Sequence, residues 1–201
     1  MSATKPKAKV VVLASGSGSN FQALIDFAQN QDTNYEIVGL IVNIPKAYAL
    51  VRAQNHNIPA KTIDHTLFAS RNDFEIELQA ALVEMGAELV ACAGFMRILG
   101  GAFVAKWEGR IINIHPSLLP KYKGLHSHER AIAAGDSHAG CTVHFVNAGV
   151  DEGEIIGQAK VVISPNDNEE TLAAKVLVQE HLLYPKCLNQ LAGTLITRNP
   201  R

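Results

Sequence analysis

Val10-Val11-Val12-Leu13-Ala14, running into Ser15-Gly16-Ser17-Gly18-Ser19-Asn20, is the stretch whose reading decides the fold. Five consecutive apolar residues, three of them β-branched, predict a buried strand. The small, glycine-containing run predicts a tight turn, and the amphipathic segment after it predicts a helix over Phe21–Gln29. Strand, turn and helix in that order make the first unit of a βαβ chain.

The alternation continues outward. Strands are expected at Glu36–Val42, Ala60–Ile63, Leu89–Ala93 and Arg110–Ile114, and helices at Ala47–Gln54 and Ala102–Lys106. Another helix runs to Met85: Ser70 suits its N-cap, Phe74, Leu78 and Leu82 recur every four residues, and Gly86 follows as a stop. Beyond a helix at Glu129–Ala134, Thr142–Val146 and Ile155–Ile163 read as two strands joined through Asn147–Glu154 as an antiparallel pair. Asp167 with Glu170 three residues on reads as a capping box opening a long helix from Asn168 to about Asn189. The class is α/β: a mostly parallel sheet with flanking helices, a β-hairpin late in the chain and a long final helix.

With 201 residues, 47% of them hydrophobic, and no linker or repeat, the chain is expected to form one domain over residues 9–201, behind a mobile arm at 1–8. The 18 Lys and Arg against 19 Asp and Glu give no basic excess, which disfavours a nucleic-acid partner. No stretch nears the roughly 18 consecutive apolar residues of a membrane span. Cys92, Cys141 and Cys187 form no Cys-x-x-Cys pair and fit reduced structural thiols in a cytoplasmic protein.

Two constellations carry chemistry. The Ser15–Asn20 loop between strand and helix offers free backbone N–H groups and a helix dipole to an anion such as phosphate. As a dinucleotide fingerprint it fails: Phe21 stands at the third glycine, and the next strand ends at Asn43 rather than in an acid, so NAD is not expected. Equally, the loop reads as a plain βα turn capped by Ser19 or Asn20. In Asn113-Ile114-His115-Pro116, strand periodicity puts Asn113 and His115 on one face at the strand's C-terminal end. An amide N–H and an imidazole there suit an oxyanion; a core histidine beside a structural asparagine is the other reading.

The following Ser117-Leu118-Leu119-Pro120-Lys121-Tyr122-Lys123-Gly124-Leu125-His126, with Thr142-Val143-His144 and Asp151 after it, resembles the folate-dependent formyltransferase family. The Ser-Gly-x-Gly-Ser-Asn loop, Ala93–Leu99 and Gln179-Glu180-His181 match that family in order, over essentially the whole chain after the arm. The resemblance implies a Rossmann-like fold and transfer of the formyl group of 10-formyltetrahydrofolate to the amine of glycinamide ribonucleotide, a step of purine biosynthesis. It implies a catalytic trio of Asn113, His115 and Asp151 and an acceptor site at Gly18, Ser19, Asn20 and Glu180. It further implies a folate pocket at Arg71, Met96, Arg97, Ile98, Leu99, Asn113, Asn147, Ala148, Gly149, Val150 and Asp151. Two positions depart from the family: Lys123, where many relatives carry proline, and Glu152, where glycine is common.

The chemistry supports this assignment independently. A neutral amine attacking a formyl carbon needs an oxyanion stabiliser and a proton acceptor, but neither a metal nor a covalent intermediate. Asp151 near His115 would favour the imidazolium or accept the amine's proton, directly or through water. Glu180 has apolar neighbours at Val176, Leu177, Leu183 and Tyr184, so its carboxylate faces inward and needs a partner, either the acceptor's amine or an internal Arg or Lys. His126 and His128 are a close histidine pair with no third ligand at a familiar spacing, so no metal site is expected; His126 is placed near the active site and His128 at a helix start. The rivals are a deformylase, which gives the formyl group to water, and a non-enzymatic nucleotide sensor. Small-molecule substrates and a monomer or homodimer complete the expectation.

Overall fold

β1 (Ala8–Ala14) is the hub of the sheet, paired in parallel with both β2 (Tyr35–Val42) and β4 (Leu89–Cys92). In this computed structural model residues 5–29 and 32–198 are described. The expected arm at 1–8 therefore lies partly outside the described residues, and Ala8 already belongs to β1. β3 (Ala60–Thr62), β5 (Ile111–His115), β6 (His138–Phe145) and β7 (Ile155–Val162) complete seven strands in the order β3-β2-β1-β4-β5-β6-β7. The first five are parallel; β6 runs antiparallel to both β5 and β7. β6 starts earlier than expected because Gly140 hides strand character in the sequence. A Cβ there would collide with the Ala159 carbonyl of β7, so the close pairing itself demands glycine.

Two apolar layers sandwich the sheet. Alternate β1 residues Val10 and Val12 join Phe21, Leu24, Leu172, Val176, Tyr184 and Leu188 on one face. Val11 and Leu13 join Phe74, Leu78, Leu82, Phe103 and Trp107 on the other. The first layer is supplied by α1 (Ser19–Ala28), α2 (Ala49–Asn55) and, beyond α5 (Ser127–Ala133), α6 (Glu169–Arg198); the second by α3 (Arg71–Glu84) and α4 (Gly101–Lys106). Ser70 caps α3 through its Oγ, which accepts from the Asp73 N–H at 3.2 Å.

α6 departs from its expected ends. The reciprocal cap is Asn168 with Thr171: Asn168 Oδ1 accepts from the Thr171 N–H at 2.9 Å, and Thr171 Oγ1 accepts from the Asn168 N–H at 3.0 Å. Asp167 instead holds Lys175 at 2.6 Å. At the other end α6 passes Asn189, whose Oδ1 accepts the Asn34 N–H at 2.7 Å, and Leu191, Leu195 and Ile196 keep it packed on the core. Tyr184 locks α6 to the sheet, its hydroxyl donating to the Cys92 carbonyl at 3.0 Å. Burial pushes the Cys92 and Cys141 thiols up to about 12, so neither is a nucleophile at neutral pH. Among the described residues, no helix is long and apolar enough to cross a membrane.

Candidate functional site

The strand order reverses at β1, so the loops that follow β1 and β4 meet at the switch point where open α/β sheets place their ligands. Ser15 ties those loops together: its hydroxyl donates to Asn43 Oδ1 at 2.5 Å and accepts the Met96 N–H at 2.7 Å. Asn43, standing where a dinucleotide site would need an acid, thus has a structural task.

The loop after β1 is shaped by its carbonyls. Gly16 O accepts from the Ala49 N–H at 3.1 Å, Ser17 O from Arg52 Nε at 2.8 Å and Gly18 O from the Gln22 N–H at 2.9 Å. No N–H from Gly16 to Phe21 donates to another described residue, which leaves a cluster of donors at the start of α1, the arrangement that binds an anion. Contrary to the capping reading, Ser19 and Asn20 lie inside α1; the N-cap is Gly18, with no side-chain cap. Gly18 is required there: its φ is 68°, and an added Cβ would come within 2.8 Å of Ala49 Cβ.

Asn20 and Glu180 face each other across α1 and α6, with Asn20 Nδ2 donating to Glu180 Oε2 at 2.7 Å. Both are over nine-tenths buried, and Asn20 Oδ1 finds no partner among the described residues. Glu180 does face inward, but among the described residues it forms no ion pair with Arg or Lys. Burial raises its pKa, and the Asn20 hydrogen bond only partly opposes that.

Asn113 and His115 project from one face of β5, and the antiparallel register sets His144 opposite Asn113. His115 Nδ1 lies 3.2 Å from Asp151 Oδ2, and Nε2 lies 3.0 Å from the Tyr122 carbonyl. A carbonyl only accepts, so Nε2 carries hydrogen, and Nδ1 faces the Asp151 carboxylate. His144 Nδ1 likewise donates to the Phe145 carbonyl at 2.8 Å, and its Nε2 lies 3.2 Å from Asn113 Nδ2 and 3.6 Å from Asp151 Oδ1. Asp151 has a φ of 52° and accepts the Gly124 N–H at 2.9 Å. Burial works against its charge, but nearby His144, the Gly124 N–H and His115 outweigh it and hold the carboxyl below its ordinary range. His115 is pushed below its ordinary value by burial, against the pull of the Tyr122 carbonyl and Asp151. Asp151 does favour the imidazolium, as expected, but desolvation outweighs it in the free protein.

The segments expected to hold folate meet near the start of α4. Met96, Arg97 and Ile98 are exposed and Leu99 is buried, leading into α4. Glu75, which the sequence reading passed over, accepts the Gly100 N–H at 2.6 Å and lies 3.9 Å from Arg71 Nε, so one buried carboxylate serves both segments. The Asn147–Val150 loop lies against α4: a Cβ at Gly101 would sit 3.5 Å from Ala148 Cβ. Asn147 Oδ1 accepts the Gly149 N–H at 3.0 Å, which turns the chain towards Asp151. The two departures from the family pattern meet each other. Lys123 Nζ lies 2.8 Å from Glu152 Oε1, a surface pair bridging the loops that flank the Gly124–Asp151 contact.

His126 precedes α5 and His128 is its second residue, but they do not act as a pair. Among the described residues, His126, Glu129 and Glu169 have ligand-type atoms within 4.8 Å of one another, all three exposed. Sequence spacing cannot bring Glu169 to this cluster. A cavity of about 260 Å³ lies behind the loop, lined by Pro116, Lys121, Tyr122, Asp136, His138 and Lys160. It touches none of Asn113, His115 or Asp151. The partners missed by the sequence reading, Arg52, Glu75, His144 and the Tyr122 carbonyl, act through pairing or backbone atoms; His144 and Tyr122 stood in the family motifs without a role of their own.

A family model described as formyl transferase matches residues 8–188. Phosphoribosylglycinamide formyltransferase of Escherichia coli (strain K12) is 42% identical over 183 residues, 91% of this chain and 86% of that protein. The trifunctional purine biosynthetic protein adenosine-3 of Drosophila pseudoobscura pseudoobscura is 46% identical over 97% of this chain, which spans 14% of that protein's length. Among solved structures, the phosphoribosylglycinamide formyltransferase of Coxiella burnetii superposes with a TM-score of 0.89 at 47% identity, covering 94% of this chain and 89% of that one. Glycinamide ribonucleotide transformylase 1 from Symbiobacterium toebii gives 0.91 at 39% identity, with the same coverage of 94% and 89%.

Proposed function

This chain belongs to the formyl transferase family, and we propose that within it the chain moves the formyl group of 10-formyltetrahydrofolate onto the amine of glycinamide ribonucleotide. The observation that carries the reading is that both half-sites lie at the C-terminal ends of the parallel strands, one in the loop after β1 and the other at the end of β5. The donor-rich loop with its buried Asn20–Glu180 pair suits a phosphorylated amine, and the Asn113, His115 and Asp151 cluster suits acyl transfer. The names of the relatives supply the acceptor and the group transferred, and the folate donor rests on the resemblance to the folate-dependent family.

In this reading the acceptor's phosphate lies on the N–H groups of Gly18, Ser19 and Asn20, with its amine towards Glu180. The donor lies along Arg71, Met96–Leu99 and Asn147–Asp151. The amine nitrogen attacks the formyl carbon, a C–N bond forms, and the carbonyl electrons move onto oxygen. The oxyanion takes hydrogen bonds from Asn113 Nδ2 and from the His115 Nε2–H, which exchanges the Tyr122 carbonyl for it. Asp151 takes the amine's proton, directly or through water, and collapse breaks the bond to N10 of the folate, which leaves as tetrahydrofolate on taking up a proton. No step needs a metal or a covalent enzyme intermediate. A cytoplasmic enzyme with small-molecule substrates, one domain over 9–201 and a monomeric or homodimeric state completes the proposal. A deformylase would leave the donor-rich loop and the Asn20–Glu180 pair without a purpose, and a non-enzymatic sensor would leave Asn113, His115 and Asp151 without one.

Glu180→Gln tests the acceptor pose. The amide keeps the shape and removes the charge, so the acceptor KM should rise by the worth of a charge-assisted hydrogen bond, roughly 1.5–3 kcal/mol. The folate KM should barely change. An unchanged acceptor KM together with a stability loss of several kcal/mol would make Glu180 a structural group and the pose wrong.

A further inference from the structure

We infer that Arg52, on α2, reads the phosphate of the acceptor and sets the preference for phosphorylated over unphosphorylated amines. The inference rests on the proposed acceptor site, to which it adds a specificity residue. Arg52 is fixed from three sides: Nε donates to the Ser17 carbonyl at 2.8 Å, Nη1 donates to Gln22 Oε1 at 3.2 Å, and the guanidinium lies 5.1 Å from the centre of the Tyr48 ring. Such fixing removes the rotamer freedom that makes an ordinary surface arginine a weak and mobile charge.

The position of that charge matters more than its anchoring. Holding the Ser17 carbonyl turns that peptide so that the loop's N–H groups are left for a ligand. Arg52 Cδ lies 3.5 Å from where a Cβ on Gly18 would be, so the cation stands against the same turn. Backbone N–H groups alone accept any anion; a planar, permanently charged fork beside them favours a doubly charged phosphate.

Two orphaned atoms indicate that a polar ligand belongs here. Among the described residues Asn20 Oδ1 is buried without a partner, and so is His181 Nε2, one residue beyond Glu180 on α6. His181 is pushed below its ordinary pKa by burial first and by the positive charge of Arg52 second, so the field of Arg52 reaches α6. Asp26 opposes it there, but that carboxylate is bound by Gln22 Nε2 at 2.8 Å, and among the described residues Arg52 forms no ion pair. The guanidinium therefore retains a charge for the ligand.

The test compares glycinamide ribonucleotide with its dephosphorylated riboside in the wild-type chain, Arg52→Gln and Arg52→Lys. In Arg52→Gln, kcat/KM for the ribonucleotide should fall about tenfold or more, the scale of a lost charged hydrogen bond. The value for the riboside and the folate KM should stay within about twofold. Arg52→Lys keeps the charge but cannot hold both oxygens as the fork does, and should recover part of the loss. Equal losses on both acceptors in Arg52→Gln would reduce Arg52 to a brace for the loop. A Lys variant as impaired as Gln would remove the charge from the account, and either result overturns the inference. If the wild-type chain itself turns over ribonucleotide and riboside equally well, the acceptor site, rather than Arg52, is misassigned.

Discussion

Asn113→Ala is expected to lower kcat roughly 100-fold or more, the scale seen on removing one oxyanion donor. Asn113 Nδ2 already lies 3.2 Å from His144 Nε2, a contact that holds the amide plane before substrate arrives, so little reorganisation is left for the reaction. His115→Ala should cost a similar factor, because the two side chains leave β5 on one face and are read here as one oxyanion site. In that case the double variant loses far less than the product of the single losses. Single-turnover measurement of the four forms decides it. Multiplicative losses would mean two independent roles and would count against the assignment.

Asp151→Asn should remove most of the activity, on the order of 100- to 10,000-fold as for a lost general base, while the fold stays intact. The backbone reason is specific. Asp151 sits at a φ of 52°, a left-handed conformation that asparagine tolerates as well as aspartate does. The amide oxygen can still accept the Gly124 N–H, but it cannot take a proton from the attacking amine. A thermal melt close to wild type with turnover nearly abolished fits the account. Normal turnover would remove Asp151 from the mechanism.

Features that repeat at the period of their own element were legible in the sequence. The valines of β1, the Phe74, Leu78 and Leu82 ridge of α3, and the shared face of Asn113 and His115 need no tertiary information, and Glu180 announced itself as a carboxylate within an apolar stripe. What escaped depends on chain segments meeting. The helix start at Ser19 was missed because Gly18 caps through a positive φ rather than a side chain. The last turns of α6 were missed because Asn189 looks like a stop until Asn34 is seen to use it. The pull of Asp151 on His115 was legible, but the net direction was not, because proximity to Asp151 is visible in a motif and desolvation is not. The Lys123–Glu152 pair shows the same limit: each residue alone reads as a departure from the family, and only the fold shows that they bind each other.

The central claim is that the formyl group goes to a phosphorylated amine rather than to water. It is tested most directly by mixing the protein with 10-formyltetrahydrofolate and following the appearance of tetrahydrofolate with and without glycinamide ribonucleotide. The account predicts release that depends on the acceptor and matches it mole for mole. Release at the same rate without the acceptor would contradict it and make the protein a hydrolase.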